Sequence, residues 1–228
     1  MKSSLLHLLH LSDPNLPIGG FSHSYGLETY TQKEIVKSVE SVRLFLTEIL
    51  THSVLPNEAF FISLVFDACE QEDWDKIIEL DCLCNASKLP REIRMASQKL
   101  GTRLMKIFNP LIKTELTKQL EVALKTKSIY GHYCILYAIY AHELRIEKKE
   151  AIEGFFYNTA ISYITNAVKL IPLSQDSGQI MLFKLLPFLE NLTQKALQPN
   201  LDLLGMSATG FDIRAMEHEN LYSRLYMS

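Results

Sequence analysis

Ser22, His23 and Ser24 stand between glycines in Gly20-Phe21-Ser22-His23-Ser24-Tyr25-Gly26, a grouping that could serve nucleophilic or phosphate chemistry. A serine nucleophile on a strand-to-helix elbow needs glycine two residues before it and two after. Ser24 has Gly26 after it but Ser22 before it; Ser22 has Gly20 before it but Ser24 after it. No strand pattern leads into the segment, so a hydrolase elbow is excluded on spacing. The pair Gly19-Gly20 precedes a helix, and helix N-termini bind phosphate. No strand comes before the pair, and no lysine follows in the spacing of a phosphate loop. Metal chemistry would draw on the seven histidines, His7, His10, His23, His52, His132, His142 and His218. His7 and His10 share one helical face, but two ligands do not make a specific site, and a solvated or capping role suits them. His218, between Glu217 and Glu219, reads as part of an exposed, charged helix face. Of the four cysteines, Cys69, Cys82, Cys84 and Cys134, the close pair lacks the two-residue gap of zinc ligands, and all four read as core or reduced thiols. The residues therefore define no catalytic set, no metal site and no cofactor site.

What remains is shaped surface. From Ser12 to Glu28 two prolines and three glycines lie between apolar segments, more than a plain turn needs. The segment specifies a long backbone path and then opens a helix. Glycines let another chain approach the backbone closely, so Pro17, Gly19, Gly20, Ser24, Gly26 and Glu28 are candidate partner contacts. Glu28 either meets a basic partner group or is an ordinary solvated acid. The chain end carries a second candidate surface, Glu219, Leu221, Tyr222, Arg224 and Leu225. Leu221, Tyr222, Leu225 and Tyr226 would form an apolar, aromatic stripe on a final helix. Aromatic residues beside an arginine are the composition of interface hot spots. The stripe docks either on the chain's own core or on a partner. Arg224 makes either an internal ion pair or a bidentate contact with a partner carboxylate.

These surfaces need a scaffold. Apolar residues at Val39, Val42, Phe45, Leu46 and Ile49 follow helical spacing, with Ser38 placed to cap. A second stripe, from Phe60 to Ala68, follows Pro56, which suits a first helical turn. A third follows acidic Glu72 and Asp73, and a fourth, from Ile93 to Ile107, runs between Pro90 and Pro110. Residues 111–125 are amphipathic. Segments 128–146 and 155–171 are apolar nearly all round, the mark of buried helices. A helix over 177–192 contains Pro187, which kinks or splits it. A glycine-bearing loop then leads to a last helix from Asp212. No run alternates apolar and polar residues as a strand does. The expected fold is all-α, a single domain over 1–228 of about eight to ten helices with buried central helices.

Hydrophobic residues make up 47% of the 228, enough for a sizeable core, and the formal charge of -3 argues against nucleic acid as partner. The uncharged runs are too short to span a bilayer. The N-terminal decapeptide has histidines within its apolar run and no small-residue cleavage site, so it reads as a first helix of a cytoplasmic protein.

Five segments resemble the UreF family of urease accessory proteins, in the same order and across nearly the whole chain. The run from Leu16 to Glu28 is similar to the family's N-terminal signature, and that from Glu92 to Leu104 to its mid-chain helix. His132-Tyr133 opens a segment like its buried central helix. The run from Ile171 to Gln179 resembles its Pro-Leu-x-Gln-x-x-Gly-Gln loop, and that from His218 to Ser228 its C-terminal motif. One departure is the bulky Cys134-Ile135-Leu136-Tyr137, where the family has a smaller, glycine-containing helix. The resemblance implies a non-enzymatic, all-α, dimeric assembly factor that bridges UreD/UreH and the GTPase UreG and modulates GTP hydrolysis as nickel enters the urease apoprotein. It implies that nickel is handled by the complex and that no cofactor is held by this chain. It also implies that the tail, 218–228, becomes ordered against UreD/UreH; the first segment, 1–12, is a second candidate for ordering by partners. The signature would lie near the surface shared with UreG and the second protomer. Two rival readings are a generic helical interaction module with other clients, and a metal-dependent enzyme using His and Cys.

Overall fold

A computed structural model describes residues 4–227, with Phe21 described in its backbone only. Met1–Ser3 and Ser228, the extreme ends of the two segments expected to be ordered by partners, lie outside the described residues. The chain is all-α. Its helices are α1 (Ser4–Leu11), α2 (Leu27–Gln32), α3 (Val39–Ile49), α4 (Phe60–Glu70), α5 (Trp74–Ser87), α6 (Arg91–Phe108), α7 (Glu115–Thr126), α8 (Tyr133–Glu143), α9 (Lys148–Leu170), α10 (Gln175–Leu197) and α11 (Thr209–His218).

The centre is α8, where every residue from Cys134 to Ala141 is fully shielded from solvent. Burying a large apolar side chain contributes about 1.5–3 kcal/mol, so such a helix is held only when surrounded. Helices α4 and α6 flank it, α9 packs beside it, and the long α9 and α10 lie along each other. The two buried tyrosine hydroxyls of α8 are matched, although Ser63 Oγ on the flanking α4 has no partner among the described residues. The Tyr137 hydroxyl donates to the Ala151 carbonyl at 2.9 Å, and that of Tyr140 to Asn109 Oδ1 at 3.1 Å.

Three elements differ from the sequence reading. The helix expected over 128–146 begins only at Tyr133, because the buried carboxylate of Asp81 captures the backbone N–H groups ahead of it. It accepts from Tyr130 at 2.5 Å, Gly131 at 3.0 Å and His132 at 3.1 Å. Gly131 turns this loop with φ +74°, and α6 comes so close that a Cβ on Gly101 would lie 2.1 Å from the Gly131 carbonyl oxygen. Secondly, Pro56 does not start a helix. Residues 39–70 run on as one helix, widened to π-helix over Leu50–Ala59 around the proline. A proline ring clashes with the carbonyl four residues back and removes an N–H, and a π-helical stretch absorbs both. The widened turns lend acceptors to their neighbours. The Pro56 carbonyl accepts the Gly205 N–H at 3.1 Å and the Asn57 carbonyl the Lys88 ammonium at 3.3 Å. This helix is long and apolar enough to cross a membrane by composition, yet 67% of its most apolar window is buried inside the fold. Thirdly, Pro187 neither splits nor ends α10, which continues to Leu197.

Other local expectations match. Ser38 caps α3 in a reciprocal box with Ser41, and the Asp73 carboxylate caps α5 by accepting the Lys76 N–H at 2.9 Å. Counting 39–70 as one, the described residues form ten helices.

Candidate functional site

The signature segment and the chain end meet. Gly19 (φ +89°) turns the chain into a single 3-10 turn over Gly20–Ser22, and Tyr25 (φ +51°) and Gly26 (φ +86°) reverse it into α2. Gly26 lies against α11, where a Cβ would sit 3.5 Å from the Ala215 backbone nitrogen. Two left-handed residues in succession aim the first turn of α2 inward, and Glu28 lands in the interior with 3% of its surface exposed. The Glu28 N–H reaches the Ser24 hydroxyl at 3.4 Å.

The Glu28 carboxylate clasps the tail. Its Oε1 accepts the Leu225 N–H at 2.7 Å and its Oε2 the Tyr226 N–H at 3.1 Å. His218, fully buried at the end of α11, bridges two acids, with Nε2 3.0 Å from Glu28 Oε2 and Nδ1 2.7 Å from Glu92 Oε2. Arg224 donates to the other Glu92 oxygen at 2.8 Å. Two further bonds pin the tail: Met227 N–H to the Ser22 carbonyl at 2.8 Å, and the Gln32 amide to the Ser223 carbonyl at 2.8 Å. Charges taken out of water persist only when paired and hydrogen-bonded. Here two carboxylates, an imidazole, a guanidinium and two backbone N–H groups satisfy one another.

Around the clasp is a polar cleft of about 320 Å³ whose walls include His23, Arg91, Lys99, Glu219 and Arg224. Burial, and then the charge of Lys99, lower the His23 pKa, with Glu92 acting the other way. On the inner side of α11 lies a second cavity of about 140 Å³, bounded by Tyr25, Glu58, Tyr133, Tyr163, Phe211 and Asp212. Burial raises the Asp212 carboxyl, opposed by the Ser207 hydroxyl bonded to it at 2.7 Å. Glu58 also pairs with the buried Lys88 ammonium.

The candidate residues take distinct places. Pro17 is exposed, and Gly19 and Gly20 have open space where a side chain would stand, so this backbone is free to be approached. Ser24 and Gly26 are buried. Glu28 is neither a solvated acid nor an outward contact, because the backbone reversal before α2 turns it onto the chain's own tail. Arg224 takes the internal ion pair, through one nitrogen. His218 is not on an exposed face: its ring fills the space between α2 and α6. The expected helical stripe is absent because α11 ends at His218 and the tail is irregular. Tyr226 therefore points inward at 6% exposure, while Tyr222, Leu225 and Met227 stand at 106%, 67% and 56%. Leu221 is half-buried and Glu219 exposed. Glu92 was missed as a site residue. Its only signal was its place in the mid-chain segment, and nothing in sequence pairs it with residues 126 and 132 positions on.

Fold and site together describe an all-α protein in which the N-terminal turn holds the C-terminal segment. Comparison with known proteins gives this class a family: the UreF family model matches residues 36–186. Relatives named urease accessory protein UreF are 43% identical in Actinobacillus pleuropneumoniae serotype 5b (strain L20), over 97% of both chains, and 42% identical in Haemophilus influenzae (strain PittEE), over 97% of this chain and 94% of the relative. A third, from Bacillus sp. (strain TB-90), is 33% identical over 98% of this chain and 99% of its own. The chain belongs to the UreF family of urease accessory proteins.

Proposed function

We propose that this protein is a scaffold for nickel insertion into urease, joining UreD/UreH to the GTPase UreG and modulating GTP hydrolysis. In this reading it works as a homodimer in the cytoplasm, its partners are proteins rather than nucleic acid or membrane, and nickel is cargo of the complex rather than its own cofactor. It performs no reaction itself.

One observation carries the reading. The tail backbone is fixed by the Glu28 carboxylate while Tyr222, Leu225 and Met227 project into solvent. Tyr222, Leu225 and Met227 leave most of their surface unburied by their own chain, whereas a partner that buries them finds the segment already ordered. Preordering lowers the entropy cost of association, and tyrosine anchors concentrate binding energy. The open backbone at Gly19 and Gly20 offers a second approach on the neighbouring surface. Co-purification of the folded, tagged protein with UreD/UreH and with UreG is the test. Retention of UreD/UreH, and recruitment of UreG to that complex, are expected; retention of neither overturns the reading.

A further inference from the structure

Cys84 and Cys134 are free thiols, fully buried, with their sulfurs 3.6 Å apart. Cys84 lies one turn before the end of α5 and Cys134 in the first turn of α8, fifty residues on. The pair has no part in the tail clasp or in the proposed partner surfaces. To bond, the sulfurs must close to about 2.05 Å with a Cβ–S–S–Cβ dihedral of about ±85–100°.

We propose that Cys84 and Cys134 form a reversible disulfide under peroxide, locking the end of α5 to the start of α8. One sulfur attacks a peroxide oxygen; the O–O bond breaks, and the departing oxygen takes the thiol's proton and leaves as an alcohol, or as water from hydrogen peroxide. The second sulfur attacks the sulfenic acid so formed; the S–O bond breaks, the S–S bond forms and the remaining oxygen leaves as water. Two thiols lose two electrons, and the peroxide gains them.

The surroundings decide which oxidant acts. Burial, and the neighbouring Cys84 sulfur, hold the Cys134 thiol well above its ordinary pKa. Charged or bulky thiol reagents are thereby excluded, and a small neutral oxidant is required. The Lys88 ammonium, within electrostatic reach of both sulfurs, favours the thiolate as it forms. The bond would act on a junction already built of hydrogen bonds. Asn85, next to Cys84, meets His132 Nε2 at 3.2 Å and the Gln98 amide at 2.9 Å. Tyr133, next to Cys134, borders the inner cavity.

The test treats the full chain with hydrogen peroxide, blocks free thiols with N-ethylmaleimide and digests with trypsin without reduction. Residues 77–88 and 128–145 are expected as one cross-linked species, two hydrogens lighter than the separate peptides and released by dithiothreitol. Because the first peptide also contains Cys82, fragment spectra must place the link at Cys84. The link should persist in Cys82→Ser, where accessible plus unfolded-state thiols fall from three to one on oxidation. It should vanish in Cys134→Ser, and in Cys84→Ala if Cys84→Ser does not fold. The oxidised protein should melt at a higher temperature than the reduced one. A link through Cys82, or full N-ethylmaleimide labelling of Cys84 and Cys134 once the peroxide-treated chain is unfolded, overturns the proposal.

Discussion

The Glu28 carboxylate ties the N-terminal turn to the chain end, because three groups from the last eleven residues converge on it. Glu28→Ala leaves two backbone N–H groups and a histidine without their acceptor. Leaving a buried hydrogen-bonding group without its partner costs about 1–3 kcal/mol, and urea denaturation should show a loss of at least that size. Trypsin should at the same time cut at Arg224 in the variant far faster than in the wild type. A variant of wild-type stability with an uncut tail would show that the clasp is not what holds it. His132 offers a second test at this scale. Its ring is fully buried between Ser97 Oγ at 3.1 Å and Asn85 Oδ1 at 3.2 Å. Burial, then Lys88 and Arg94, push its pKa down to about 3. The unfolded chain, with an ordinary imidazole, binds the proton first. The stabilisation is therefore complete above about pH 6.5 and is lost as pH falls towards 3, at up to about 1.4 kcal/mol per unit. Asp81, raised by burial against its three backbone N–H bonds, has the opposite sign: its contribution is present at low pH and lost as pH rises through its raised value. Comparing His132→Gln with wild type by urea denaturation between pH 7 and 5 isolates the histidine, and the variant should show the flatter profile.

At the scale of elements, the junction of α5, α6 and α8 is held by close approach. Gly101 has no side chain because the 130–132 loop crosses α6 there, and the atom in the way is backbone that cannot swing aside. Gly101→Ala forces the two apart; overpacking of this kind costs about 1–3 kcal/mol, outweighing alanine's better helix propensity. A thermal midpoint equal to or above wild type would contradict the packing described. The helix over 39–70 teaches how element boundaries escape sequence reading. Ser38 announces its cap locally, and the acidic residues ahead of α5 mark its start, where Asp73 proves to be the cap. Pro56 also looks local, a first-turn proline, yet the chain runs through it. The reason lies elsewhere: Gly205 and Lys88 bond to the carbonyls the widened turns release, and they come from the loop after α10 and the end of α5. Periodicity misses the start of α8 for a similar reason, since Asp81 lies 49 residues before the first N–H it captures, whereas the motif opening at His132-Tyr133 marks it.

At the scale of the whole molecule, the tail packs on the outside of the helical body through Glu28, Gln32, Ser22 and Glu92. Deleting residues from Tyr222 onward removes the Leu225 and Tyr226 contacts but leaves His218 between Glu28 and Glu92. Helical circular dichroism should be unchanged, while UreD/UreH binding is lost. Collapse of the helical signal would mean that the tail is part of the core, and undiminished binding would place the partner surface elsewhere.

The sequence by itself determined the helical class, the buried character of α8, the Ser38 cap and the family, since these follow from periodicity, nearest-neighbour chemistry and ordered motifs; α9 instead starts at Lys148 and keeps residues such as Tyr157 exposed. It also marked the two segments that meet, the turn around Gly19-Gly20 and the chain end. Only the tertiary structure decided that they meet. Periodicity cannot say that Glu28 and His218 meet at 3.0 Å across 190 residues, because burial of a polar group depends on which groups arrive to satisfy it. The same dependence turned a seemingly exposed histidine into the centre of the site and sent Tyr226 inward while Tyr222 stayed in solvent.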